Sequence, residues 1–209
     1  MTSQSTLLSI LGLLCSLTLC AQGPLTVYGT DDVGQSAVLL DVDGQPAIAF
    51  ADDTNDSLKY VRSNDVFGVS WSSPISLASI GTTGGFISMQ IVNGNPAISY
   101  RDQTRDSLMY IRANDAQGSN WGTPVALAKD GIAFYNGGLQ VIDGQPAVAY
   151  FNAATFSSER VLKYIRANDA NGTSWNAPIV VDGDNLSGYA PVLRSVQDTP
   201  VIAYYNFEV

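Results

Sequence analysis

The side chains able to do chemistry in this 209-residue chain are few. There is no histidine, the only glutamates are Glu159 and Glu208, and both cysteines, Cys15 and Cys20, lie in an apolar run near the N-terminus. Acyl-transfer triads and zinc sites therefore lack their parts in the remainder of the chain. Arg62, Arg112 and Arg166 would clamp a carboxylate if they converged, but each follows a Tyr-Val or Tyr-Ile pair and marks the same place in three copies of one unit. Asp is the remaining acid, and its residues sit mostly in turn-forming company. A glycosidase needs two carboxylates at a fixed separation, and no such pair stands out. A net charge of −9 gives no basic excess to hold phosphates, which argues against a nucleic-acid partner.

What the sequence does show is repetition. The segments Asn64-Asp65-x-x-Gly68-x-x-Trp71, Asn114-Asp115-x-x-Gly118-x-x-Trp121 and Asn168-Asp169-x-x-Gly172-x-x-Trp175 recur, each preceded by a Leu-x-Tyr run and followed by Pro three residues after the Trp. A second set of prolines, at 46, 96, 146 and 200, gives steps of 50, 50 and 54 residues. A period near 50 is the mark of propeller blades or similar arrays. Each period holds four apolar runs, which in the first copy are 37–42 (A), 46–51 (B), 57–62 (C) and 74–78 (D). Asp43-Gly44, Asn93-Gly94 and Asp143-Gly144 join A to B and predict type I′ hairpins. Run B, Pro-Ala-Ile-Ala-Phe, is apolar on both faces, small on one and large on the other, so both faces must be covered. Blades stacked around an axis supply that cover.

The expected fold is an all-β propeller of four-stranded antiparallel blades, about 3.5 of them, forming an open arc or partial ring. Residues 24–29 stand in register as a further D strand, and residues 189–196 and 200–206 read as strands A and B of a last blade that lacks C and D. The termini are therefore not expected to complete one blade. An exposed apolar edge on the last strand predicts aggregation of the isolated chain, and the natural protein is expected to continue past Val209 into further blades.

The Asn-Asp-x-x-Gly-x-x-Trp turn resembles the Asp-box (BNR) repeat of the sialidase-like β-propellers, Ser-x-Asp-x-Gly-x-Thr-Trp, with one more residue between Asp and Gly and with Ala in place of Ser in two copies. The resemblance implies a turn between the third and fourth strands of each blade, remote from any catalytic site. Asp65, Asp115 and Asp169 are then structural: the carboxylate accepts backbone N–H groups, Gly68, Gly118 and Gly172 supply positive φ, and Trp71, Trp121 and Trp175 bury a ring between blades. Sialidase activity in that family needs a converging arginine triad, a Tyr nucleophile assisted by Glu, and an Asp acid/base, which the repeat-spaced arginines do not supply.

Function is sought instead on the opposite face, where the B–C and D–A loops differ between copies. Candidate ligand-binding residues there are Asp52, Asp102, Arg105, Phe134, Tyr135, Asn136, Asn152, Phe156 and Tyr189, suited to an extracellular glycan or protein. No cofactor is implied. Asp182 and Asp184 form the best available calcium pair, without the spacing or distal Glu of a calcium loop. The run Leu-Leu-Ser-Ile-Leu-Gly-Leu-Leu-Cys-Ser-Leu-Thr-Leu-Cys has the length of a signal-peptide apolar core. Residues 1–21 are therefore expected to be a signal peptide and 22–209 a repeat domain with no membrane span, secreted or held at the cell surface or in the periplasm. The function expected is non-catalytic binding or adhesion; the alternatives are a fragment of a sialidase-like glycoside hydrolase and a purely structural repeat of a larger surface protein.

Overall fold

The computed structural model describes residues 25–29, 32–81, 85–129, 133–153, 160–184 and 187–206. The expected signal segment, both glutamates and Phe156 lie outside the described residues. Strands β1 (Val33–Val42), β2 (Gln45–Asp52), β3 (Ser57–Arg62) and β4 (Ile75–Ser79) pair in that order as one antiparallel sheet. A second sheet repeats the order with β5 (Ser88–Val92), β6 (Asn95–Asp102), β7 (Ser107–Arg112) and β8 (Val125–Ala128). The third is built from β9 (Ala133–Ile142), β10 (Gln145–Ala153), β11 (Arg160–Arg166) and β12 (Ile179–Asp182). A two-stranded sheet, β13 (Ser187–Val196) with β14 (Thr199–Asn206), follows. The molecule is thus all-β, a partial propeller of four-stranded antiparallel blades.

The Asn/Asp-Gly turns are primed hairpin turns: Asp43, Gly44, Asn93, Gly94, Asp143 and Gly144 all have φ between 44° and 83°. First strands neighbour one another, β1 against β5, β5 against β9 and β9 against β13. They therefore line the axis, with β4, β8 and β12 outermost. The cores lie between blades, as the two-sided run B requires. Ala47, Ala49 and Ala51 of β2 pack against Met89, Ile98 and Tyr100 of the second blade. Ala97 of β6 shares a cluster with Leu139, Val148 and Tyr150 of the third, and Ala147 and Ala149 of β10 meet Leu193 and Ile202 of the last.

Two expectations are corrected. Residues 25–29 form no strand; they lie over Ile48 and Phe50 on the outer face of the first blade, the Tyr28 ring 6.0 Å from that of Phe50, where apolar contact replaces strand pairing. The first strands also begin earlier than read. Gly34 and Ser36, and likewise Gly188 and Ala190, take positive φ at bulges that carry the strand through what looks like a loop. Gly138 takes φ 99° at the corresponding shift of β9, and Phe134, Tyr135 and Asn136, expected in a D–A loop, belong to that strand, with Tyr135 opposite Phe151 and Asn136 opposite Tyr150; Tyr189, expected at the start of a first strand beside its loop, lies in β13 opposite Tyr205.

Between the blades, the turn glycines Gly118 and Gly172 each press on a tyrosine of the preceding blade. A Cβ on Gly118 (φ +71°) would lie 2.8 Å from the Tyr60 ring, and one on Gly172 (φ +72°) 2.7 Å from the Tyr110 ring, whereas a Cβ on Gly94 (φ +83°) meets nothing. Both Gly118→Ala and Gly94→Ala incur the positive-φ penalty of about 1–2 kcal/mol, but only Gly118→Ala must also displace a packed ring. Urea denaturation should show Gly118→Ala to be the more destabilising by about 1–3 kcal/mol; equal losses would mean that the turn is not pressed against Tyr60.

Candidate functional site

The turn between the third and fourth strands is closed by its aspartate. Asp115 Oδ1 accepts the amides of Gln117 and Ser119, both at 3.0 Å, and Oδ2 accepts the Asn120 amide at 2.7 Å and the Ser119 hydroxyl at 3.0 Å. Asp65 and Asp169 repeat the pattern on Phe67, Val69 and Ser70 and on Asn171, Thr173 and Ser174. The indole N–H of Trp71, Trp121 and Trp175 donates to the carbonyl of Gly68, Gly118 and Gly172 at 2.7–2.8 Å. These carboxylates are filled by their own turns.

The turns also bind the blade before them, a role the sequence reading missed. Tyr60 donates its hydroxyl to the Gln117 carbonyl and Tyr110 to that of Asn171, each at 2.9 Å. Trp121 stands edge-on to Tyr60 and Trp175 edge-on to Tyr110, with ring centroids 5.1 Å apart in both. The signal was present in the recurrence of Tyr at one place in every third strand. The indoles are partly rather than fully buried, because one face of the turn stays in solvent. Trp71 occupies the equivalent position, and among the described residues no tyrosine of another blade faces it.

The repeat arginines do not converge. Arg62 donates to the Val42 carbonyl through Nε and to the Asp43 carbonyl through Nη2, both at 3.0 Å. Arg112 does the same to Val92 and Asn93, and Arg166 binds Asp143. Each guanidinium clips the hairpin turn of its own blade.

At the other ends of the strands, Asp52, Asp102 and Asn152 close the second strand of successive blades, and all three are buried. Asp52 accepts the Asn55 amide at 3.0 Å and its side-chain amide, and lies 3.4 Å from Lys59 Nζ. Burial pushes its carboxyl up, but the Asn55 donors and Lys59 outweigh this and hold it below the ordinary value. Asp102 accepts the Arg105 amide at 3.0 Å and the Arg105 guanidinium. These acids fix the loops from beneath, leaving the Arg105 side chain, 65% exposed, to face solvent. Tyr189 stacks edge-on to Phe151 at 5.8 Å. The side chains of Phe134, Tyr135 and Asn136 lie outside the described residues. Asp182 does not stand as an open metal ligand, since its oxygens accept the Asp184 amide at 3.0 Å and the Tyr204 hydroxyl at 2.7 Å. Among the described residues no group of three or more His, Cys, Asp or Glu side chains is placed to hold a metal ion.

The turn aspartates make stability depend on acid. The amides of Val69 and Ser70 lower the Asp65 carboxyl. Burial raises those of Asp115 and Asp169, but their amide and hydroxyl donors win and both end below the ordinary value. A depressed carboxyl contributes stability that is complete above the unfolded value, near pH 4, and is lost as pH falls through the folded value. Thermal melts should therefore show the midpoint falling between about pH 4 and about pH 2. Asp115→Asn should lower it at neutral pH and reduce that acid dependence; an unchanged acid profile would show that Asp115 is not held by its turn.

No family model matches the chain, and no curated protein does. Among solved structures, the chain is similar to the exo-beta-1,3-galactanase of Phanerochaete chrysosporium in complex with beta-1,3-galactotriose, with a TM-score of 0.53 at 10% identity over 75% of this chain and 41% of that one. It is also similar to the NanB sialidase of Streptococcus pneumoniae, with a TM-score of 0.50 at 21% identity over 75% of this chain and 25% of that one. The chain thus spans less than half the length of either structure, and what it shares with them is the propeller fold.

Proposed function

We propose that this chain is a non-catalytic propeller module, of the Asp-box-like type that its turns resemble, which binds an extracellular glycan or protein through the loops at the ends of β2, β6 and β10. The observation that carries this reading is the Asp102–Arg105 pair. A buried carboxylate pins the loop and the guanidinium, so the exposed cation needs little further ordering to meet a hydroxyl or carboxylate. The first blade has Asn55 at the corresponding place, so the blades present different chemistry at this end. At the turn end, by contrast, the repeat aspartates and arginines are engaged within their own blades. Propellers that act on sugars supply the analogy of fold and no more. Secretion, or display at the cell surface, follows from the apolar N-terminal run as part of the same proposal.

A glycan array and a cell-surface binding assay with the purified chain test this directly. Arg105→Ala should reduce binding at least about tenfold, the worth of a charge-assisted contact, while Phe67→Ser, on the exposed turn at the opposite end, should leave it unchanged. Equal loss in both variants would overturn the assignment to the loop end, and turnover of a fluorogenic sialoside would favour the hydrolase reading.

A further inference from the structure

The loop between β2 and β3 gathers an amine, a carboxamide and a carboxylate that occur together in neither of the other four-stranded blades. The Asp52 side chain is fully shielded from solvent, and its Oδ2 lies 3.4 Å from Lys59 Nζ and accepts the Asn55 side-chain amide at 2.9 Å. Its Oδ1 accepts the Asn55 backbone amide at 3.0 Å and the side-chain amide at 3.1 Å. Lys59 Nζ also donates to the Ser76 hydroxyl at 3.0 Å, and its side chain is 14% exposed. A simple ion pair would leave the Asn55 amide to water; here that amide is drawn onto the carboxylate oxygen that faces the amine. Lys59, Met109 and Lys163 are equivalent, standing opposite Phe50, Tyr100 and Tyr150. The second blade therefore has Asp102, Arg105 and Met109 in place of Asp52, Asn55 and Lys59, and the third keeps Lys163 but has Asn152 instead of the acid. Asp52, Asn55, Lys59 and Ser76 all belong to the first blade and its own loop.

We propose that Lys59 and Asn55 become joined by an intramolecular amide bond, which the chain forms by itself with Asp52 as the proton carrier. From the resting ion pair, the Lys59 ammonium passes a proton to Asp52 and the freed Nζ attacks Asn55 Cγ. The Nζ–Cγ bond forms and the Cγ–Nδ2 bond breaks. Nζ gives up a second proton, and the two protons with the electron pair of the broken bond carry Nδ2 away as ammonium. Asp52 ends as a carboxylate, and the step needs no co-reactant. An amine held against an amide within one short loop reacts at an effective concentration that no free amine reaches. A carboxyl in contact with both nitrogens supplies the general acid–base catalysis that exchange of an amide requires. The bond closes a ring over residues 55–59 and makes permanent a bracing that the second blade obtains from the Asp102–Arg105 ion pair.

Mass spectrometry of the full chain after prolonged incubation at neutral pH tests this. Allowing for the substitution, the parent should weigh one ammonia less than its Lys59→Met variant, which carries the residue found at that place in the second blade. Trypsin should no longer cut between Lys59 and Tyr60 of the parent, and the peptide spanning Asn55 and Lys59 should resist hydroxylamine, which opens succinimides. Asp52→Asn retains both the amine and the amide and should slow the loss of ammonia at least about a hundredfold. The proposal is overturned if the parent keeps its full mass and is cut after Lys59, or if Asp52→Asn loses ammonia at the parental rate. It is equally overturned if the lost ammonia maps to Asn93 or Asn171, each followed by a glycine that favours succinimide formation. The parent chain alone decides the first and last of these outcomes, so they hold whether or not Asp52→Asn folds.

Discussion

One contact recurs wherever two blades of this molecule meet through their outer strands: a tyrosine in the third strand reaches across to the turn of the next blade. The hydroxyl binds a turn carbonyl, the ring lies against a glycine, and the next tryptophan covers it edge-on. Tyr60 and Tyr110 are each 2% exposed, so their hydroxyls need those carbonyls if burial is not to be costly. The turn must hold one shape to present them. That is the task of Asp115 and Asp169, whose carboxylates gather the turn amides, and of Gly118 and Gly172, which permit the positive φ and the approach of the ring.

This division of labour separates the two ends of the blades. At the turn end nearly every charged or polar side chain of the repeat has a partner inside its own blade or on its neighbour, as Arg62 and Arg112 show by clipping the hairpins beside them. Such groups support the scaffold and have little freedom to act on a ligand. At the other end the blades diverge, with Asp52 held by Asn55 and Lys59 where Asp102 is held by Arg105. Buried acids there serve as anchors for what the loops display.

Much of the architecture was legible because a propeller blade is written as a local pattern. The Asn/Asp-Gly pairs fixed the first hairpin of the three four-stranded blades, the small-large alternation of Ala47 to Phe50 required stacking on both faces, and the proline spacing counted the blades. The bulges at Gly34 and Gly188 were not legible, since glycine in a run reads as a break and only tertiary pairing carries the strand through it. Gly138 does the same in β9, so Phe134, Tyr135 and Asn136 read as loop residues. Burial of Asp52, Asp102 and Asn152 was equally hidden, because polar residues at strand ends look exposed until the loop that folds over them is seen. The role of Tyr60 and Tyr110 required knowing which turn lies across the gap, a contact between residues 57 and 61 positions apart.

The central claim is that the Tyr–turn contact couples one blade to the next, and a double-mutant cycle measures that coupling directly. Tyr110→Ala, Trp175→Ala and the double variant are compared by urea denaturation, the first residue lying in the second blade and the other in the turn of the third. The account predicts an interaction energy of about 1 kcal/mol or more between them. Losses that add to within about 0.3–0.5 kcal/mol, the behaviour of independent sites, would contradict it.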